Sequence, residues 1–71
     1  MKYVVIDDCG SALYTTEHEI KEEAIRDAEI QLSRLTSTDR KRRETFLVLE
    51  SVNPDEDAEN HLDGHIIKRW I

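Results

Sequence analysis

Thr45-Phe46-Leu47-Val48-Leu49-Glu50-Ser51-Val52 is the stretch on which the fold turns. Successive side chains of a strand point to opposite faces, so a strand covered on one face alternates apolar and polar residues. Here Phe46, Leu47, Val48 and Leu49 are contiguous, the pattern of a strand buried on both faces. It predicts a central strand over Thr45 to Val52. Immediately after it, Asn53-Pro54-Asp55-Glu56 reads as an N-cap, a proline at the first helical position and two acids suited to a helix N-terminus. A short helix to about Leu62, closed by Asp63-Gly64, is expected, and His65 to Ile71 is then strand-like.

Upstream of the central strand, residues 2 to 7 form a β-rich run that stops at the turn formers Asp7-Asp8-Cys9-Gly10-Ser11. Ala12-Leu13-Tyr14-Thr15 resumes an extended pattern, which predicts a hairpin. Thr16-Glu17-His18-Glu19 matches a capping box, so a helix is expected from Glu17. At 100° per residue Ile20, Ala24, Ile25, Ala28, Leu32 and Leu35 fall in a stripe of roughly 140°, the predicted buried face. Glu19, Glu22, Glu23, Arg26, Asp27 and Arg34 lie opposite, with Ile30 among them as an exposed aliphatic or a contact residue. Thr36-Ser37-Thr38-Asp39 ends the helical pattern, and Arg40-Lys41-Arg42-Arg43 follows as a solvated basic linker. The expected fold is α+β: residues 1–71 as a single small domain, with a four-stranded mainly antiparallel sheet and one long helix on one face. The element order is ββαβ(short α)β.

Composition sets limits on function. Apolar residues make up 38% of the 71 and charged residues 37%, so the core is thin. A chain of this size buries only about 60% of its unfolded surface, and an enclosed cofactor pocket is not expected. Sixteen acids against 10 bases give a net charge of −6, which disfavours a phosphate-neutralising surface. The single Cys9 has no internal partner, and the apolar run Tyr3-Val4-Val5-Ile6 is too short for a signal peptide or a membrane span. A cytoplasmic location follows as the expectation.

Several constellations bear chemistry on paper. His61, Asp63 and His65 alternate, and Cys9 could approach them, but metal ligands must converge at about 2.0 to 2.3 Å and no second cysteine completes a closed site. Asp55, Asp57 and Glu59 lack the glycine and the distal glutamate of a calcium loop. No metal or cofactor is expected. Nucleophilic catalysis would need Cys9 or a serine beside a histidine held by a third group, and nothing in the sequence fixes His18 or His65 next to Cys9. No catalytic residue is assigned, and the chain reads as a non-enzyme.

Arg40, Lys41, Arg42 and Arg43 form the sharpest charge feature, with Arg69 and Trp70 able to add a cation and a stacking surface if the last strand lies nearby. Those six residues and Ile30 are the candidate partner-binding set. The simpler role for the bases is to offset the acidic segment Asp55 to Asp63 across a loop. Because Val4/Ile6 and Leu47/Leu49 are apolar as well as Tyr3/Val5 and Phe46/Val48, both sheet faces need cover that one helix cannot supply. The short helix is expected to cover part of the second face and a homodimer the rest, with edge pairing through Lys68 to Ile71 as the alternative geometry.

The segment Leu35-Thr36 to Arg43, with Val48 to Gly64 after it, resembles a family of short bacterial proteins without assigned function, associated with gut Firmicutes and their mobile elements. The resemblance spans about half the chain and implies a setting; it brings no activity, ligand or catalytic residue. The start of the helix after the hairpin, Glu22-Glu23-Ala24-Ile25, also looks like that of antitoxins with a partial ribonuclease-H fold, a pattern common among small α+β domains. The functional expectation is an accessory or regulatory protein acting by protein contact with an unknown partner, and the alternative is a small nucleic-acid-binding module built on Arg40 to Arg43.

Overall fold

The computed structural model of the chain describes residues 1–61 and 64–71. Its elements are β1 (Lys2–Asp8), β2 (Leu13–His18), α1 (Lys21–Ser33), α2 (Ser37–Lys41), β3 (Thr45–Ser51), α3 (Pro54–Glu59) and β4 (His65–Arg69). The four strands form one antiparallel sheet in the order β2-β1-β3-β4, an α+β fold with β1 and β3 in the middle. The Cα radius of gyration is 11.2 Å, and a folded chain of this length is expected near 11 Å.

The contiguous apolar run of β3 is buried as its pattern demands. Phe46, Leu47, Val48 and Leu49 are all fully buried, and Val4, Val5 and Ile6 of β1 lie beside them in register. Val5, Phe46 and Val48 face α1, whose Ala24, Ala28 and Leu32 pack on them, joined by Tyr3, Leu35, Ile67, Trp70 and Ile71. Val4, Ile6, Leu47 and Leu49 face the other way, where Ala58 of α3 and Ile66 of β4 complete a second cluster. That second face was expected to need another copy of the chain. Over β1 and β3 it is closed within one chain, since none of those four residues is more than 1% exposed.

The buried stripe of α1 is narrower than its sequence suggests. Ala24, Ala28 and Leu32 are buried, whereas Ile20 is 50% exposed and Ile25 only half-buried. The helix start also differs. Thr16 does not cap a helix at Glu17: it sits in β2 opposite Val5, and the hairpin ladder continues to the pair Tyr3 and His18. Two contacts extend the strand at the expense of the cap. Glu19 receives the Lys2 ammonium at 3.0 Å instead of folding back, and His18 bonds Asp27 at 2.7 Å. The helix therefore begins at Lys21, after Ile20, which provides no side-chain cap.

A capping box does form, one element later. Thr36 Oγ1 accepts from the Asp39 N–H, the Thr36 N–H donates to the Asp39 carboxylate, and the segment expected to be a helix end and a linker becomes α2. Downstream, α3 stops at Glu59, and Asn53 precedes it without a side-chain bond to its backbone. The N–H of Asn53 instead donates to Ser51 Oγ, and that hydroxyl donates to Asp57 of the first turn. The expected helix end at Leu62 and Asp63 lies outside the described residues.

The hairpin loop is short. Cys9 N–H bonds the Ala12 carbonyl, leaving Gly10 and Ser11 between them, and Gly10 has a positive φ of 85°. A first central residue with φ above zero is the mark of a type II′ turn, which glycine adopts at no steric cost. A Cβ there would also meet Glu44 Oε1 at 2.9 Å.

Hydrogen bonding to the Thr36 hydroxyl, and then to its backbone N–H, holds the Asp39 carboxyl below its ordinary range. A depressed folded-state value contributes stability above the unfolded pKa of about 3.9 and loses it as pH falls through the folded value. Hydrogen exchange is therefore expected to show the Asp39 amide losing protection below about pH 4, and in Thr36→Ala at neutral pH. The same measurement on Thr16→Ala should leave the first-turn amides of α1 unchanged.

Candidate interaction surface

At the end of β1 two adjacent acids point to opposite faces of the sheet. Asp7, on the α1 side, receives Arg43 Nε at 2.7 Å and a second guanidinium nitrogen at 3.5 Å. Arg43 also donates to the Asp39 carbonyl, so one side chain ties the end of α2 to β1. Asp8, on the α3 side, accepts the Gly10 N–H at 2.8 Å and faces His61 Nε2 at 3.6 Å. His61 Nδ1 bonds the Ala58 carbonyl at 3.0 Å. Both carboxylates are occupied by structural partners.

The four consecutive bases are accordingly divided. Arg43 is spent on Asp7, and it does not reach the acids of α3 as the linker reading proposed. Arg40, though exposed, donates to the Leu32 carbonyl at the end of α1. Lys41 and Arg42 stand in solvent. Topology does bring the last strand to the same end of the sheet, because the carbonyl of Phe46, the second residue of β3, accepts from both Trp70 and Ile71. Trp70 is half-buried, edge-on to Phe46 with ring centroids 6.0 Å apart, and the Lys68 ammonium lies 5.2 Å from its centroid. Arg69 Nε is bonded to the Ile71 carbonyl.

The remaining constellations separate. His61 faces Asp8, whereas His65 lies 3.8 Å from Glu50 on the opposite face of the sheet, and Asp63 is outside the described residues. Cys9 Sγ is 3.4 Å from the Ala12 carbonyl in its own turn. His18 is held by Asp27 at the far end of the hairpin. Among the described residues no three His, Cys, Asp or Glu side chains gather as a metal site, and no helix is long and apolar enough to cross a membrane. Ile30 is 43% exposed and borders a shallow hollow of about 440 Å³, lined with Glu22, Ile25, Arg26, Glu29 and Ser33 of the same helix.

A different surface, outside the candidate set, is left open. β2 is an edge strand whose residues Leu13 to Glu17 are all exposed, with Leu13 at 41% and Tyr14 at 62%. The other edge is blunted: β4 has five residues, a register break opposite Val48 and Leu49, and Lys68 and Arg69 near its end. β2 has no proline, no bulge and a single carboxylate, Glu17. Its signature in the sequence is the lack of an apolar face in Thr15-Thr16-Glu17-His18, which suits an edge better than a helix start.

The division of the bases has a measurable consequence. Arg43→Met should lower stability by about 2 kcal/mol, because it removes charge-assisted bonds to a carboxylate that stays largely buried. Lys41→Ala and Arg42→Ala should each change it by less than about 0.5 kcal/mol in the same denaturant titration.

The chain matches none of the protein-family models, curated proteins or solved structures with which it was compared.

Proposed function

We propose that this chain is a non-enzymatic accessory or regulatory protein of the cytoplasm that works by protein contact, with the outer edge of β2 as its contact element. The observation that carries the reading is the contrast between the two sheet edges. One is short, bulged and basic; the other runs for six residues, with unpaired outward backbone groups at alternate positions and two exposed apolar side chains, Leu13 and Tyr14. An extended segment added to such an edge gains main-chain hydrogen bonds at once, and neighbouring side chains supply selectivity. The resemblance to short bacterial proteins of mobile elements supplies a setting for this role and no chemistry.

A second reading, a small nucleic-acid-binding module, is favoured by charge placement. Arg34, Lys41, Arg42, Lys68 and Arg69 are all exposed, and the β3–β4 pairing brings the last two toward the end of the sheet where α2 enters β3. Against it, two members of the Arg40 to Arg43 run are engaged with the protein itself, and Trp70 packs on Phe46.

A photo-reactive residue substituted at Tyr14 separates the two readings when the full chain is irradiated in its host. Contact through β2 predicts a discrete protein–protein adduct, with no such adduct from the same probe at Glu59 on α3. Adducts from neither position, together with nucleic-acid binding that falls steeply between 50 and 200 mM salt, would transfer the function to the basic end.

A further inference from the structure

The β2 edge has a pattern that fits one occupant, and this inference rests on the contact reading above. Cys9 and Ala12 close the hairpin by a hydrogen bond, and antiparallel pairs alternate between bonded and non-bonded. Counting along the register, Tyr14, Thr16 and His18 turn their backbone groups inward to β1. Leu13, Thr15 and Glu17 turn theirs outward. A second strand must bond to those three residues.

We propose that the occupant is a second copy of this chain, paired antiparallel along β2 about a two-fold axis through Thr15. In that register Thr15 opposes the partner's Thr15, and Leu13 opposes the partner's Glu17 on either side. Each pair exchanges both of its bonds, so every outward group is used, about six bonds in all. Centring the axis one residue away, on Thr16 or on Tyr14, leaves about four.

The side chains agree with the backbone. A Thr–Thr pair stands on the axis, and Tyr14 lies across from the partner's Thr16, an aromatic against a β-branched residue; both are favourable cross-strand combinations. Glu17, the one carboxylate in the strand, meets leucine and not its own copy. The two-fold also reverses the strand direction. The end of one copy that carries Arg34, Lys41 and Arg42 is thereby set antiparallel to the same end of the other, which keeps the two groups of bases apart. This one register avoids a like-charge pair and uses every outward backbone group of the strand.

Cross-linking tests the axis directly. In a Cys9→Ser background, Thr15→Cys should form an intermolecular disulfide under mild oxidation, because directly opposed bonded residues have Cα atoms about 5.5 Å apart. Thr16→Cys should not, since its copy lies two residues further along the partner strand, beyond the usual reach of about 7 Å. By sedimentation equilibrium the unmodified chain should associate, and Thr15→Lys, which puts two ammonium groups on the axis, should weaken association about tenfold with an unaltered thermal transition. A strictly monomeric mass up to millimolar concentration, a disulfide at position 16 in preference to 15, or a dimer insensitive to Thr15→Lys would overturn the proposal. If the Tyr14 probe captures a different protein while the chain stays monomeric, the contact reading stands and the second copy does not.

Discussion

Everything in this structure is arranged around a strand that must be covered twice. Phe46 and Val48 project to one side of β3 and Leu47 and Leu49 to the other, and all four are fully buried. A chain of 71 residues has little material for two covering layers. It meets the demand with helices that touch the sheet mainly through alanine: Ala24 and Ala28 on α1, Ala58 on α3. Small contact residues leave the volume between the layers to the larger side chains of the strands, so the sheet supplies most of the core. That division explains why six residues of α3 suffice where a helix as long as α1 covers the other face.

The same end of β1 fastens both layers. Asp7 and Asp8 are neighbours in sequence, and the pleat sends one to Arg43 and the other to His61. Arg43 stands just before β3 and His61 just after α3, so the connections from α2 to β3 and from α3 to β4 are each held by an ionisable contact at this one place. The cluster that looks from sequence like a free basic surface is in this respect partly structural. A base next to a helix end is as ready to satisfy a last-turn carbonyl as to meet a ligand, and Arg40 does so at Leu32.

The fold class was legible because its signals are local and strong. The unbroken run in β3, the glycine turn of the hairpin and the proline at the start of α3 each allow few conformations. The start of α1 was not, because two segments satisfy the same capping rule. Thr16 and Thr36 are each followed three residues later by an acid, and only tertiary partners choose between them: Lys2 takes Glu19, while Asp39 remains free to close its box. The candidate surface was missed for a related reason. Whether an exposed strand is an edge depends on strand order, and strand order depends on β1 pairing with β3, a segment far along the chain.

That distant pairing shapes how the chain is assembled in time. Synthesis delivers β1 and β2 first, and the loop of two residues lets them zip as a hairpin. Val4, Val5 and Ile6 then have a neighbour on one side only, because Thr45 to Ser51 has yet to emerge. Until it does, the inner edge of the hairpin is the more apolar of its two edges. Neighbouring ribosomes on one message hold several such hairpins close together, and an edge awaiting its own β3 can accept another's. The fold thus carries an exchange hazard confined to nascent chains, which ends when β3 of the same chain closes over Ile6.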